Sequence, residues 1–132
     1  MTFSVSLPVR PRHCDAGGML HAARYYEYFE EAFLRWLDAV GLPYAELRAL
    51  GVDLVIVESG CIHRRPARLD DHLELSVWPE VASDKALRVT FDVRRDDAVL
   101  AQGQCTYVAV ADGRATAMPA ALCRIAGSSP AD

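Results

Sequence analysis

Hydrophobic periodicity divides the chain into one long helix and a series of strands. Over residues 22–40, apolar residues recur at the spacing of one helix face, at Tyr25, Phe29, Ala32, Trp36 and Val40. Nineteen residues at 1.5 Å each give a helix about 28 Å long. Gly41 and Pro43 end this helix, and a second, short helix is predicted over residues 42–50. The breadth of the apolar stripe predicts that the long helix lies on a sheet.

Much of the remaining chain alternates between apolar and polar residues, which is the pattern of a half-buried strand. Strands are predicted over residues 5–10, 52–64, 72–81, 86–95 and 99–111, with a short return strand at 114–118. Gly103 lies inside the last long strand and predicts a bulge or a close backbone approach. Asp112 and Gly113 form a hairpin signal between that strand and the return strand.

The order of these elements is strand, long helix and then antiparallel strands, which indicates a single α+β domain over residues 1–132. A flexible tail is predicted from about residue 126. One helix covers only one face of such a sheet, so the long strands would leave edges and apolar surface exposed in a monomer. We therefore expect a homodimer or a homotetramer.

The composition narrows the class of protein. Hydrophobic residues make up 52% of the chain and charged residues 24%, which is typical of a globular domain. The formal net charge of -4 argues against a nucleic-acid partner, because proteins that bind nucleic acids usually carry a strongly basic face. No apolar run approaches the roughly 18 residues of a membrane span. The N-terminal residues lack the pattern of a signal peptide, so a cytoplasmic protein is expected.

The four cysteines, Cys14, Cys61, Cys105 and Cys123, follow neither the spacing of a metal site nor a Cys-x-x-Cys motif. We expect free thiols, with no disulfide and no bound metal. Cys61 and Cys105 fall in predicted strands, where cysteine usually acts as a small buried hydrophobe. Cys14 is a weak candidate nucleophile, because strand alternation would point it away from the face of its neighbour Asp15.

Asp15 begins the stretch of the chain that most strongly suggests chemistry, because it is placed at the end of the first strand and just before the long helix. A carboxylate beside the exposed N–H groups of a helix N-terminus is suited to binding and polarising a carbonyl. Gly17 and Gly18 follow. They permit a tight turn with positive φ, and a close approach of the substrate to the backbone is compatible with that role. The structural alternative is that Asp15 only caps the turn or the helix start.

The chain also contains an ordered set of motifs. They are an Asp-x-x-Gly motif at Asp15, a tyrosine ten residues later at Tyr25, an acidic and aromatic helix, and a Pro-Ala-x-x-x-Asp turn. Through these motifs, in residues 12–19, 22–32 and 66–71, the chain resembles the 4-hydroxybenzoyl-CoA thioesterase family over nearly its whole length. The resemblance implies the hotdog fold, in which an antiparallel sheet wraps around one long central helix.

The resemblance also implies an activity. Members of this family hydrolyse acyl-CoA or acyl-carrier-protein thioesters, with no metal and no cofactor, in sites at a dimer interface. Here the substrate would be an acyl-CoA, aromatic acyl groups included, and Asp15 would act as the nucleophile or as a general base on water. Backbone N–H groups at His21 and Ala22 would hold the thioester oxygen as it becomes an oxyanion.

Other residues acquire roles from the same resemblance. Tyr25 and His63 would bind the acyl group, together with the backbone at Gly17 and Gly18. His21 and His63 are interpreted as pocket walls or hydrogen-bonded core residues rather than proton carriers. The phosphates of CoA need cations at the pocket mouth, and the candidates are Arg64, Arg65 and Lys85.

The chain departs from the family pattern at three histidines, one of which is His63, which stands where relatives often have an aromatic residue. His13 stands where many relatives have an acidic residue, and His21 follows Asp15 by six residues where several relatives have a histidine after seven. Three alternatives to an acyl-CoA thioesterase are considered. They are an acyl-carrier-protein thioesterase, a hotdog dehydratase or hydratase, whose Asp–His motif is not found here, and a non-catalytic acyl-CoA-binding hotdog protein.

Overall fold

The computed structural model describes residues 3–127, which form an antiparallel sheet and three helices. The strands are β1 (Phe3–Pro8), β2 (Asp53–His63), β3 (His72–Val81), β4 (Ala86–Arg95), β5 (Ala98–Ala111) and β6 (Arg114–Ala115). The helices are α1 (Tyr25–Ala39), α2 (Tyr44–Ala49) and α3 (Ala120–Ala126). Short 3₁₀ turns at Pro11–His13 and Ala22–Arg24 flank the segment that carries Asp15.

The sheet has the strand order β1-β3-β4-β5-β2, with β6 paired to β5, and α1 packs on its buried face. Two aromatic contacts fix the helix there. Phe29 stacks on Phe91 of β4 with ring centroids 4.7 Å apart, and Phe33 stacks on Tyr107 of β5 at 4.5 Å. Burying each such ring contributes about 1.5–3 kcal/mol. This sheet wrapped around α1 confirms the predicted hotdog fold.

Gly103 lies where β5 passes under α1. A Cβ atom at this position would sit 2.3 Å from the ring of Phe29. The pairing of β5 with β2 and with β4 runs through Gly103 without a shift, and the register shifts occur instead at Ile56/Glu58 and Val93/Arg94. Of the two predicted explanations for this glycine, close backbone approach is therefore confirmed and a bulge is wrong.

Several predicted boundaries need correction. The first strand ends at Pro8 and a 3₁₀ turn follows it, so Asp15 does not directly end a strand. The long helix begins with another 3₁₀ turn, so its α-helical part is the 15 residues of α1. The predicted tail begins too early, because Ala126 is buried in α3, a helix that was not predicted. The part of the tail at residues 128–132 lies outside the described residues.

The strand β2 forms one end of the sheet and presents apolar side chains to solvent. Val57 and Ile62 on this strand are each 60% exposed, and Val55 and Ile56 beside them are also exposed. An unpaired strand edge bearing apolar side chains is a common place for a second chain to join. The predicted homodimer or homotetramer stays a prediction, with β2 as its expected contact.

Within residues 3–127, no helix combines the length and the apolar character that a membrane crossing requires. The same residues contain no group of three or more His, Cys, Asp or Glu side chains arranged to hold a metal ion. All four cysteines are free thiols. Cys105 is buried as predicted, whereas Cys61 is half-buried, because its strand lies at the open end of the sheet.

Candidate active site

Asp15 lies in a small hairpin that residues 13–21 form between β1 and α1. Its backbone N–H donates to the carbonyl of Met19 at 2.8 Å, and the N–H of Gly18 donates back to the carbonyl of Asp15 at 3.0 Å. Gly18 has φ +80°, a conformation that glycine adopts without the steric cost of a side chain. The two glycines that follow Asp15 therefore make a tight turn, which is the structural role considered for them.

The carboxylate of Asp15 uses one oxygen to brace this turn. Its Oδ1 accepts hydrogen bonds from the N–H groups of Gly17 at 2.9 Å and Met19 at 3.0 Å. The hydrogen bond from Met19 is the main cause of a lowered Asp15 pKa. Burial opposes it, and the hydrogen bond from Gly17 and the nearby His21 lower the pKa further. The predicted capping role is thus confirmed for Oδ1. No described residue donates a hydrogen bond to Oδ2, which stays available for chemistry.

A second loop pairs with this hairpin along its other edge. The N–H of Leu20 donates to the carbonyl of Ala67 at 2.9 Å, and the N–H of Leu69 donates to the carbonyl of Gly18 at 2.8 Å. Residues 67–69 therefore act as a third short strand beside the hairpin. This pairing ties the turn that carries Asp15 to the loop between β2 and β3.

Asp71 and Arg95 hold that loop in shape. The guanidinium of Arg95 contacts Oδ2 of Asp71 at 2.7 Å, and the backbone N–H of Arg68 donates to the same oxygen at 2.8 Å. Burial alone would raise the pKa of Asp71, but these two hydrogen bonds and the charge of Arg95 outweigh it and lower the pKa. The sequence motif marks Asp71, whereas its partner Arg95 lies 24 residues away and carries no signal of its own.

A cavity of about 420 Å³ opens beside Asp15. It is lined by Asp15, Met19, Leu20, His21, Ala22, Tyr25, His63, Arg64, Arg65 and Pro66. The structure therefore brings together seven of the predicted site residues. Gly17 and Gly18 shape the turn that carries Asp15 but do not line this cavity, and their predicted contact with substrate stays a prediction.

Tyr25 and His63 form one wall of the cavity. Their rings meet edge to face with centroids 4.7 Å apart, and Tyr25 is only 2% exposed. Burial raises the pKa of the Tyr25 hydroxyl, and a hydrogen bond with the backbone of Ala67 partly offsets that effect. Tyr25 therefore remains a neutral phenol at physiological pH, which suits it to lining a pocket.

The backbone N–H groups at the start of the helix differ in availability. That of His21 donates to the carbonyl of His13 at 3.0 Å, so the predicted oxyanion role of His21 is corrected. The N–H groups of Ala22 and Ala23 donate to no acceptor among the described residues. Free N–H groups of this kind are expected in the first turn of a helix. Ala22 also lines the cavity and remains a donor candidate.

Two arginines lie at the cavity mouth in different environments. Both Nε and Nη2 of Arg64 donate to Oε1 of Gln102, at 3.0 and 2.8 Å, so a neutral amide holds this side chain. The guanidinium of Arg65 forms no ion pair or side-chain hydrogen bond with the described part of the chain. Arg65 is therefore the freer of the two cations.

Lys85 lies away from this cavity, which corrects its predicted place beside the arginines. Its carbonyl accepts the N–H of Ala109 in β5, whereas His63 pairs with Ala101 near the start of that strand. Eight residues of strand separate Ala101 from Ala109, which corresponds to about 26 Å. Within one chain, Lys85 and the cavity thus occupy opposite ends of the sheet.

Comparison with known proteins relates this fold and site to a family. Residues 9–125 match the sequence profile of the thioesterase-like superfamily. A relative from Aquifex aeolicus, named "Putative esterase", is 29% identical over 105 residues, which cover 80% of this chain and 82% of the relative.

Two solved structures are similar to this one. A hypothetical protein from Thermus thermophilus shares 31% identity and a TM-score of 0.84, with 90% of each chain covered. A 1,4-dihydroxy-2-naphthoyl-CoA thioesterase from Synechocystis has 19% identity and a TM-score of 0.87, over 100% of this chain and 99% of its own. Because the superfamily profile spans most of the sequence, the chain belongs to the thioesterase-like superfamily.

Proposed function

We propose that this protein hydrolyses an acyl-CoA thioester to the free acid and CoA. The observation that carries the proposal is that one cavity is lined both by Asp15, whose Oδ2 accepts no hydrogen bond from a described residue, and by Ala22, whose N–H donates to none. Membership of the thioesterase-like superfamily supports thioester hydrolysis as the class of reaction. The named substrate of the Synechocystis neighbour, a bicyclic aromatic acyl-CoA, indicates which acyl groups deserve testing first.

Asp15 serves the reaction in one of two ways. As a nucleophile, Oδ2 attacks the acyl carbon, the C–S bond breaks, CoA leaves as the thiolate, and water then hydrolyses the resulting anhydride. As a general base, the carboxylate takes a proton from water as the water attacks the same carbon. Intact-protein mass spectrometry after rapid acid quenching distinguishes them, because only the first route adds the mass of the acyl group to the enzyme.

Both routes require an ionised Asp15. Its lowered pKa keeps the carboxylate charged at neutral pH, so catalysis needs no further activation of this group. The ordinary pKa of an aspartate is about 3.9, and the fall in rate caused by protonating Asp15 is expected below that pH. A pH–rate profile whose acid limb is centred near pH 6 would assign that limb to another group.

The remaining groups of the cavity act on the thioester oxygen and on the CoA. The N–H of Ala22 lies at the positive end of the helix and donates to the oxyanion, a contact whose loss typically lowers rates about a hundredfold or more. Tyr25 and His63 enclose the acyl group. Arg65 offers an uncommitted guanidinium to a phosphate of CoA.

The assembly we propose is a homodimer joined along β2. Pairing two copies of this edge would satisfy its unpaired backbone groups and cover Val57 and Ile62. Light scattering coupled to gel filtration is expected to give twice the chain mass or four times that mass. A monomer at micromolar concentration would contradict this assembly.

The test of the proposed activity is thiol release from a panel of acyl-CoAs. The panel contains short-chain, long-chain and aromatic acyl groups, and free CoA is followed with a thiol-reactive dye. The proposal predicts turnover of at least one substrate by the purified oligomer. No release from any acyl-CoA would contradict it. In that case, turnover of acyl-carrier proteins would indicate the carrier-protein alternative, and tight acyl-CoA binding without turnover would indicate a binding protein.

A further inference from the structure

The hydroxyl of Tyr28 joins three parts of the chain behind the Asp15 hairpin. Tyr28 belongs to α1 and is only 5% exposed. Its Oη accepts the backbone N–H of Arg10 at 3.1 Å, lies 3.3 Å from the carbonyl of Pro8 at the end of β1, and lies 2.9 Å from Nδ1 of His13. One phenol therefore connects α1, the end of β1 and the first residue of the hairpin.

Both ring nitrogens of His13 have polar neighbours, Tyr28 on one side and Glu27 on the other. The phenol has one proton, so it donates either to Pro8 or to His13, and in the first case Nδ1 of His13 donates to the phenol. On the other side of the ring, Nε2 of His13 lies 3.5 Å from Oε1 of Glu27, whose other oxygen is held by Arg24 at 2.6 Å. Both nitrogens of the imidazole thus face groups on or beside α1.

The backbone of His13 is linked to the candidate site. Its carbonyl accepts the N–H of His21, and this hydrogen bond closes the hairpin that holds Asp15. The same bond removes His21 as a donor, so Ala22 becomes the first free N–H of the helix. The position of His13 therefore sets the position of the Asp15 turn relative to the N–H of Ala22.

We propose that His13 and Tyr28 are positioning residues that hold the Asp15 turn in register with the start of α1. Neither residue lines the Asp15 cavity, and both line a separate groove between β1 and α1. They act through the hairpin rather than on the substrate. The kinetic consequence rests on the proposed function, whereas the geometric claim does not. Displacements of about 1 Å in catalytic groups can cost about a hundredfold in rate, so a smaller loosening is expected to cost about tenfold.

The kinetic test compares Tyr28→Phe and His13→Ala with His13→Asn and Tyr44→Phe. The Asn variant keeps a polar atom near the position of Nδ1. The Tyr44 variant removes a hydroxyl that accepts the N–H of Leu54 at 2.9 Å, outside the candidate site. We expect kcat to fall about tenfold in the first two variants with KM changed less than twofold. His13→Asn should recover most of kcat, and Tyr44→Phe should match the wild type.

A second readout follows the carboxyl carbon of Asp15 by NMR through a pH titration and needs no turnover. Loosening the turn weakens the hydrogen bonds from Gly17 and Met19, so the Asp15 pKa should rise towards its ordinary value in Tyr28→Phe. Tyr44→Phe should leave it unchanged. Near-ultraviolet circular dichroism checks folding, and if His13→Ala fails to fold, Tyr28→Phe decides the question.

The outcomes separate this inference from the proposed activity. A raised Asp15 pKa in Tyr28→Phe, combined with no thioesterase activity in the wild type, would support the positioning role and reject the proposed function. An unchanged Asp15 pKa in a folded Tyr28→Phe would overturn the positioning role, whether or not kcat falls.

Discussion

Gly103→Ala tests the packing that places α1 on the sheet. The new Cβ would lie 2.3 Å from Cε2 and Cζ of Phe29, whereas carbon atoms normally approach no closer than about 3.5 Å. The ring must therefore move by about 1.2 Å, although it is fully buried and stacked on Phe91. Overpacking typically costs about 1–3 kcal/mol, and a disturbed ring pair adds about 0.5–1.5 kcal/mol. The expected loss in the free energy of unfolding is about 2–4 kcal/mol.

Urea and thermal unfolding measure this loss, with Gly60→Ala as the matched control. Gly60 lies in β2, and its new Cβ would meet only Nε2 of Gln104, at 4.0 Å. That substitution is expected to be neutral or to stabilise slightly, because alanine restricts the unfolded chain. The Gly103 variant should melt roughly 10 °C lower than the control, given about 3–5 °C per kcal/mol for a domain of this size. Equal stability of the two variants would refute the packing argument.

Two further predictions concern charged residues. Arg65→Ala should raise KM for an acyl-CoA about fivefold to tenfold, whereas Lys85→Ala should leave KM unchanged, because only Arg65 lines the cavity. Steady-state kinetics at low and high salt measure this difference, and an equal effect of both variants would contradict the placement of Lys85. The lowered pKa of Asp71 contributes stability that is present above the unfolded pKa of about 3.9 and is lost as pH falls through the folded pKa. Asp71→Asn should therefore lose less stability than wild type between pH 5 and pH 2, by urea unfolding, and parallel curves would contradict the Asp71–Arg95 account.

The sequence predicted the sheet well because its strands carry a strong local signal. The residues of β3 and β4 alternate with little interruption, and their bounds were predicted to the residue. The helix α1 was predicted through its aromatic stripe. The helix α3 was missed because seven residues, four of them alanine or cysteine, are too few to show a clear helical period.

The candidate site was predicted less completely because it depends on contacts between distant segments. The role of Asp15 in bracing the turn could be predicted, because the glycines that signal the turn lie beside it in the sequence. The hydrogen bond from the N–H of His21 to the carbonyl of His13 depends on how the hairpin closes, and the Asp71–Arg95 contact depends on strand pairing, so neither could be predicted. Lys85 was wrongly placed beside the arginines for a similar reason. The sequence shows that Lys85 lies near a strand end, but it does not show at which end of the antiparallel sheet that strand end lies.

The catalytic role of Asp15 is tested most directly by comparing the rates of thioester hydrolysis of Asp15→Asn and Asp112→Asn. Asparagine at position 15 keeps an oxygen that can accept the bonds from Gly17 and Met19, but it removes the charge. Asp112 is exposed in the β5–β6 hairpin at φ +52°, a conformation that asparagine also tolerates. We expect Asp15→Asn to bind acyl-CoA as the wild type does and to lose at least about a hundredfold in kcat, while Asp112→Asn keeps full activity. Full activity of a folded Asp15→Asn would contradict that role.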